Sequence, residues 1–310
     1  MYKILSRALN TRLKLARDFI FSRAQKGFTN SRFIQEVLIN LCETIGYCNQ
    51  NNIPACIVAI DQAKAFDTIS NAYMLQAYRF FGMGEYMINL LTTLGSGRVA
   101  CISFDDGSVS DPFDLERGRT QGNGPSPCEY NIGQQILLFK LELCPDLASV
   151  YNHLLVPRTV MSTVGATHPS ITDCIESEAN PRFSQESNRE TDKAEGFADD
   201  TSVATIFSHN NLLHLKNMLE EFAGISGLRC NLDKTSVLLI GSSLNIPDNI
   251  AALGFTFSDK VKVLGMDISR NPEDWNQNFS RILGGINKKM NSGTGSTCLY
   301  LAGSASPKAF

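Results

Sequence analysis

Two adjacent carboxylates, Asp199 and Asp200, lie within Ala194-Glu195-Gly196-Phe197-Ala198-Asp199-Asp200-Thr201-Ser202-Val203-Ala204, a stretch that reads as strand, tight turn and strand. Successive side chains on a strand point to opposite faces, so the pair can serve one site only from a turn. Like charges this close repel, and a divalent cation is the usual relief. Mg²⁺ takes hard oxygen ligands, commonly one or two carboxylates together with substrate phosphates. The chain also carries a comparison case. Asp105-Asp106-Gly107, between Val99–Phe104 and Ser108-Val109, pairs two acids in what reads as a plain hairpin turn. A third acid stands elsewhere. Ile53–Ile60 is a continuous apolar run apart from Pro54, suits a buried strand, and ends in Asp61. An acid there can ligate a metal or cap the helix that follows.

The rest of the composition narrows the chemistry. The 310 residues suffice for one large or two ordinary domains, and 43% hydrophobic with 19% charged residues fits a globular chain. No apolar run reaches the length that spans a bilayer. Nine cysteines without a C-x-x-C pair or a secretory segment predict reduced, intracellular thiols. The histidines (His153, His168, His209 and His214) are scattered, so a metal site would have to be built from carboxylates.

Net charge is −3, yet Lys3, Arg7, Arg12, Lys14, Arg17, Arg23, Lys26 and Arg32 face only Asp18 near the start of the chain. Such a cluster suits phosphate backbones. It also fits the solvated face of a helix whose apolar stripe is Leu5, Leu9, Leu13 and Ala16, or an Arg-rich targeting segment.

The elements that must position the acids follow from periodicity and punctuation. A helix is expected over Tyr2–Ile20, then a loop with Ser31 as N-cap and a helix over Glu36–Cys48. Two further helices occupy Ser70–Leu94, divided at Phe81-Gly82-Met83-Gly84. Arg117-Gly118-Arg119-Thr120-Gln121-Gly122-Asn123-Gly124-Pro125-Ser126-Pro127 is a loop feeding an apolar helix over Glu129–Leu143. Residues 144–193 read as a long mobile insertion. Ser208 caps a helix that Gly224 or Gly227 ends. Asn231–Thr235 enters a strand over Ser236–Gly241, and Val261–Ile268 forms a short strand pair. The tail from about Asn291 has no core-forming pattern and is expected to be disordered.

In this order the segments resemble the reverse transcriptase domain of non-LTR (LINE-like) retrotransposons. Ala59-Ile60-Asp61-Gln62-Ala63-Lys64-Ala65-Phe66-Asp67 is similar to the first palm motif, and Gln121-Gly122 with Ser126-Pro127 to the second. Phe197-Ala198-Asp199-Asp200 is similar to the third, Gly227-Leu228 through Lys234-Thr235 to the fourth, and Leu264-Gly265 to the fifth, near the primer strand. Gln25-Lys26-Gly27-Phe28 and Arg32 fit the fingers, and Tyr2-Lys3-Ile4-Leu5 the preceding helix.

The resemblance implies an α+β fold, a right-hand polymerase palm whose antiparallel sheet is backed by helices, with partial fingers and most of the thumb missing. It assigns fingers to 1–54 and 68–118, palm to 55–67, 119–143 and 194–268, and the start of a thumb to 271–310. The implied activity is RNA-directed DNA polymerisation on an RNA template and DNA primer. Asp61, Asp199 and Asp200 would hold two Mg²⁺ ions, with Mn²⁺ an alternative. Phe66 would lie beneath the incoming sugar and select dNTPs over NTPs. Ala65, Gln121 and Gly122 would line the nucleotide, and Lys234 would protonate pyrophosphate. Two other readings stay open: a non-catalytic nucleic-acid-binding remnant and a group II intron-type polymerase. The resemblance also implies a piece of a longer element, with fingers strands upstream and a thumb downstream.

Overall fold

The computed structural model describes residues 2–150, 193–231, 234–242 and 245–291. Its centre is β1 (Ala55–Ile60), every residue of which is buried. The alternation of its side chains supplies two faces of one sheet. Cys56, Val58 and Ile60 enter one core, and Ala55, Ile57 and Ala59 the other. The sheet runs β4 (Ala194–Phe197), β5 (Asp200–Ile206), β1, β6 (Ser236–Ile240) and β7 (Thr256–Phe257). All neighbours are antiparallel except β6 and β7. This is the antiparallel, helix-backed α+β architecture expected of the palm.

The larger core lies beneath helices α1 (Tyr2–Ile20), α4 (Asn71–Phe80), α5 (Glu85–Gly95), α6 (Ser126–Leu143) and α7 (His209–Ser226). Against the second face pack α2 (Ile34–Gln50) and the hairpin β8 (Lys260–Val263) to β9 (Met266–Ser269). Short helices α3 (Ala65–Thr68) and α8 (Asp248–Ala251) lie in connections, and α9 (Asn276–Asn291) follows a 3₁₀ turn at Pro272–Trp275. The acid-bearing comparison hairpin is β2 (Val99–Ala100) with β3 (Phe113–Asp114). At its tip Asp106 accepts from the Ser108 amide at 2.9 Å and hydroxyl at 2.6 Å, and these bonds hold its carboxyl below the usual range. It is a turn, as its Asp-Gly composition predicts.

Several boundaries differ from expectation for identifiable reasons. Leu5 is exposed, and the inner stripe of α1 is Ser6, Leu9, Leu13, Arg17 and Ile20. Ser31 does not cap α2. Phe33 occupies that place, with its amide donating to Glu36 Oε1 at 3.0 Å. The expected insertion starts late: Leu147 and Val150 are buried, and the Ala148 carbonyl accepts from the Ile206 amide at 3.2 Å. Most of that stretch, 151–192, and the tail beyond residue 291 lie outside the described residues.

Gly241, at φ +68°, ends β6 where the chain has no room for a side chain. A Cβ there would overlap the Ile53 carbonyl oxygen. Gly241→Ala therefore combines left-handed strain with a backbone clash. It is expected to cost at least ~2 kcal/mol, read as a lower midpoint in urea unfolding with an unchanged slope.

Candidate active site

The pairing register decides where the acids meet. Along β1 and β5 the partners run from Ala55 with Ile206 to Ile60 with Thr201. One step further puts Asp61 across from Asp200, on the face that carries Ala59 and Ser202. Asp199 precedes it in the turn Ala198-Asp199 that joins β4 to β5. Along β1 and β6 the register runs to Ala59 with Ser236, and the continuation brings Lys234 to the same end of the sheet. Asp61 is anchored on that side. Its amide donates to Thr235 Oγ1 at 3.4 Å, and its carbonyl accepts from the Asn231 amide at 2.8 Å. It caps no helix, since α3 begins after Lys64, a residue at φ +50°.

These groups open onto one cleft of about 360 Å³, lined by Asp61, Asp200 and Lys234 and closed on its far side by Lys262, Leu264 and Gly265. Three groups around the acids share one electrostatic neighbourhood. The Asp200 carboxyl is raised above its ordinary range by burial first, then by the charges of Asp199 and Asp61. Burial, with Asp199 next, raises the Tyr130 phenol well above its usual value. Burial and then Asp61 push the Cys230 thiol up to about 12. Carboxylate oxygens gathered at one end of a cleft, with Lys234 and Lys262 beside them, are the donor chemistry that a hard divalent cation carrying phosphate suits. Among the described residues no three acidic, His or Cys side chains close into a finished cage. Phosphate and water oxygens would have to complete the shell.

Phe66 lies on α3, half-buried, with its ring stacked on Tyr130 at 4.6 Å between centroids and 26° between planes. Neighbouring Ala65 is buried. The loop before α6 holds this turn from beneath. The Gly118 amide donates to the Ile69 carbonyl at 2.8 Å and the Arg119 amide to the Phe66 carbonyl at 2.6 Å. A Cβ on Gly118 would meet the Phe66 and Asp67 carbonyls within 3 Å. Gln121 and Gly122, at φ +76°, are exposed in that loop. Asn123 accepts from the Ser6 hydroxyl, which ties the loop to α1.

Sequence reasoning missed two polar rows on α6. Tyr130 donates to Gln62 Oε1, Gln62 Nε2 to Gln134 Oε1 at 2.8 Å, and Gln134 Nε2 to Thr201 Oγ1 at 3.0 Å. All four residues are buried, and the relay joins the residue after Asp61 to the residue after Asp200. In the second row Asn131 donates to the Gly27 carbonyl at 2.6 Å and Gln135 to Ser22 Oγ at 2.9 Å. The signal was available: polar pairs spaced i, i+4 inside an apolar helix.

The basic cluster divides. Lys3, Arg7, Arg12, Lys14 and Arg23 are exposed. Arg17 and Lys26 are buried, and Lys26 pairs with Glu36 at 3.6 Å and Glu195 at 3.7 Å. The Arg32 guanidinium is spent on the carbonyls of Phe21, Ser22 and Gln25.

A mixed sheet-and-helix palm with three acids at one end of its central strands defines the polymerase class of fold, and comparison with known proteins narrows the class. The family model described as reverse transcriptase (RNA-dependent DNA polymerase) matches residues 1–268, and the chain belongs to that family. The retrovirus-related Pol polyprotein of the type-1 retrotransposable element R2 from Popillia japonica is 28% identical over 160 residues, 51% of this chain and 22% of that protein. The transposon TX1 uncharacterized 149 kDa protein from Xenopus laevis is 22% identical over 121 residues, 39% of this chain and 9% of that protein. The chain thus spans about a fifth or less of these relatives. Among solved structures, telomerase from Candida tropicalis, in complex with a fragment of telomeric RNA, superposes with TM-score 0.50 at 12% identity. That match covers 86% of this chain and 36% of the telomerase chain. At that identity the likeness speaks for the fold. Among the described residues no helix is long and apolar enough to cross a membrane.

Proposed function

We propose that this chain adds deoxynucleotides to the 3′-hydroxyl of a DNA primer on an RNA template. The observation that carries the reading is the register of β5, β1 and β6, which sets Asp61, Asp200 and Lys234 on one cleft with Asp199 in the adjoining turn. Asp61 and Asp199, with Asp200 beside them, would hold two Mg²⁺ ions. When bound, these supply Lewis acidity at the primer hydroxyl and at the leaving pyrophosphate. The chain's own residues do the rest. The acids present their oxygens at one end of the cleft, and the exposed Lys234 ammonium gives a proton to the departing pyrophosphate oxygen. Phe66, steadied by Tyr130, presents a ring edge to the sugar and excludes a 2′-hydroxyl. Ala65, Gln121 and Gly122 flank the base and template. In this reading residues 55–67, 119–143 and 194–268 are palm, 1–54 and 68–118 are fingers, and α9 begins the thumb. The exposed cations of α1 follow the nucleic-acid backbone.

Primer extension on a homopolymer RNA template with Mg²⁺ or Mn²⁺ tests this. Templated incorporation that EDTA abolishes is the expected result. Nucleic-acid binding without incorporation would replace the polymerase by the non-catalytic remnant.

A further inference from the structure

The hairpin that carries Asp199 and Asp200 has a turn its own sequence does not favour. Ala198 sits at φ +58°, the left-handed region that a residue with a Cβ enters at a cost of about 1 kcal/mol. Something outside the hairpin must hold it there. That something is the segment after α1. Gln25 bridges Gly196 in parallel, the Gly196 amide donates to the Ala24 carbonyl at 2.8 Å, and the Lys26 amide donates to the Gly196 carbonyl at 2.7 Å. This short ladder extends the sheet beyond β4. From it the Gln25 side chain, fully buried, reaches the turn. Its Oε1 accepts from the Gly27 amide at 2.9 Å and from the Ala198 amide at 3.1 Å. Gly27 lies against the same turn so closely that a Cβ would overlap the Ala198 nitrogen. Two further groups fix the segment from behind: Asn131 on the Gly27 carbonyl and Arg32 on the Gln25 carbonyl, each at 2.6 Å.

We infer that Gln25 is a positioning residue for the metal-binding turn: its carboxamide oxygen, shared by the Gly27 and Ala198 amides, holds Asp199 in the conformation in which it can ligate a cation. The inference rests on the polymerase reading for the role of Asp199. Gln25 touches no substrate and acts only through the turn. Loss of the acceptor leaves two buried amides unpaired, which frees Ala198 to leave the left-handed region and carries Asp199 with it.

The test is Mn²⁺ binding to the full chain, followed by the paramagnetic resonance signal of the free ion and therefore independent of turnover. Gln25→Met keeps shape and volume and replaces the carboxamide oxygen with a thioether, a far weaker acceptor for these amides. It is expected to raise the half-saturating Mn²⁺ concentration about tenfold, with helical dichroism and melting profile retained. Adding Ala198→Gly, which lets the turn adopt its geometry without a Cβ, is expected to restore most of that affinity. Should Gln25→Met not fold, Gly27→Ala perturbs the same contact from the other side and is expected to weaken Mn²⁺ binding likewise. Unchanged affinity in a folded Gln25→Met chain, or a loss that Ala198→Gly does not repair, overturns the inference. Wild-type chain that binds no Mn²⁺ overturns the polymerase reading and this inference together, whereas normal wild-type binding beside a normal variant overturns the inference alone.

Discussion

Asp199→Asn should abolish measurable nucleotide incorporation, a loss of about 10³-fold or more, while the chain stays folded. Asparagine keeps the shape of aspartate and an oxygen, but it removes the charge that a hard cation requires. The site is exposed at the cleft mouth, so folding has little stake in that charge. Removing one of three mutually repelling acids also lets the Asp200 carboxyl, now raised by burial, Asp199 and Asp61, relax toward its ordinary range. The measurement is single-turnover extension of a labelled primer at saturating Mg²⁺, with thermal unfolding as the control. Asp61→Asn should behave the same way, because the register sets it across from Asp200. Incorporation by either variant within tenfold of wild type would sink the two-metal assignment.

Phe66→Val should change which sugar is accepted more than how fast the preferred one reacts. The ring is braced on Tyr130 at 4.6 Å and sits on a turn held by the Arg119 amide, so its position is set before any nucleotide arrives. A preorganised wall rejects an added hydroxyl by steric conflict, and shortening the wall removes that conflict. The ratio of kcat/KM for dNTP over NTP should fall by about 10- to 200-fold, the range one such contact is worth. Lost stacking on Tyr130 should lower stability by about 1 kcal/mol beyond the burial that the smaller side chain gives up. An unchanged ratio in competition assays would remove Phe66 from the nucleotide pocket.

Much of this could be read in the chain itself. Helix α1 falls where its periodicity placed it, at Tyr2–Ile20, and α4 and α5 divide at the glycines after Phe81. Gly227 ends α7 by turning left-handed at φ +80°, in a place where a Cβ would also press on the Thr68 carbonyl. The apolar run before Asp61 is the fully buried β1. Such features are local: a period, a cap, a residue without a Cβ.

What the chain by itself determined was therefore which segments are helix or strand and which acids stand at strand ends. Tertiary structure alone decided that Asp61 faces Asp200, that Lys234 joins them and that Gln25, 173 residues from Ala198, holds the turn between β4 and β5. Strand register depends on both faces of the sheet being filled at once, because a one-residue slip of β1 would move every one of its side chains into the core built for the opposite face. The polar rows of α6 depend on the same packing. Tyr130, Asn131, Gln134 and Gln135 look out of place in an apolar helix until β1, β5 and the Gln25 segment close around them.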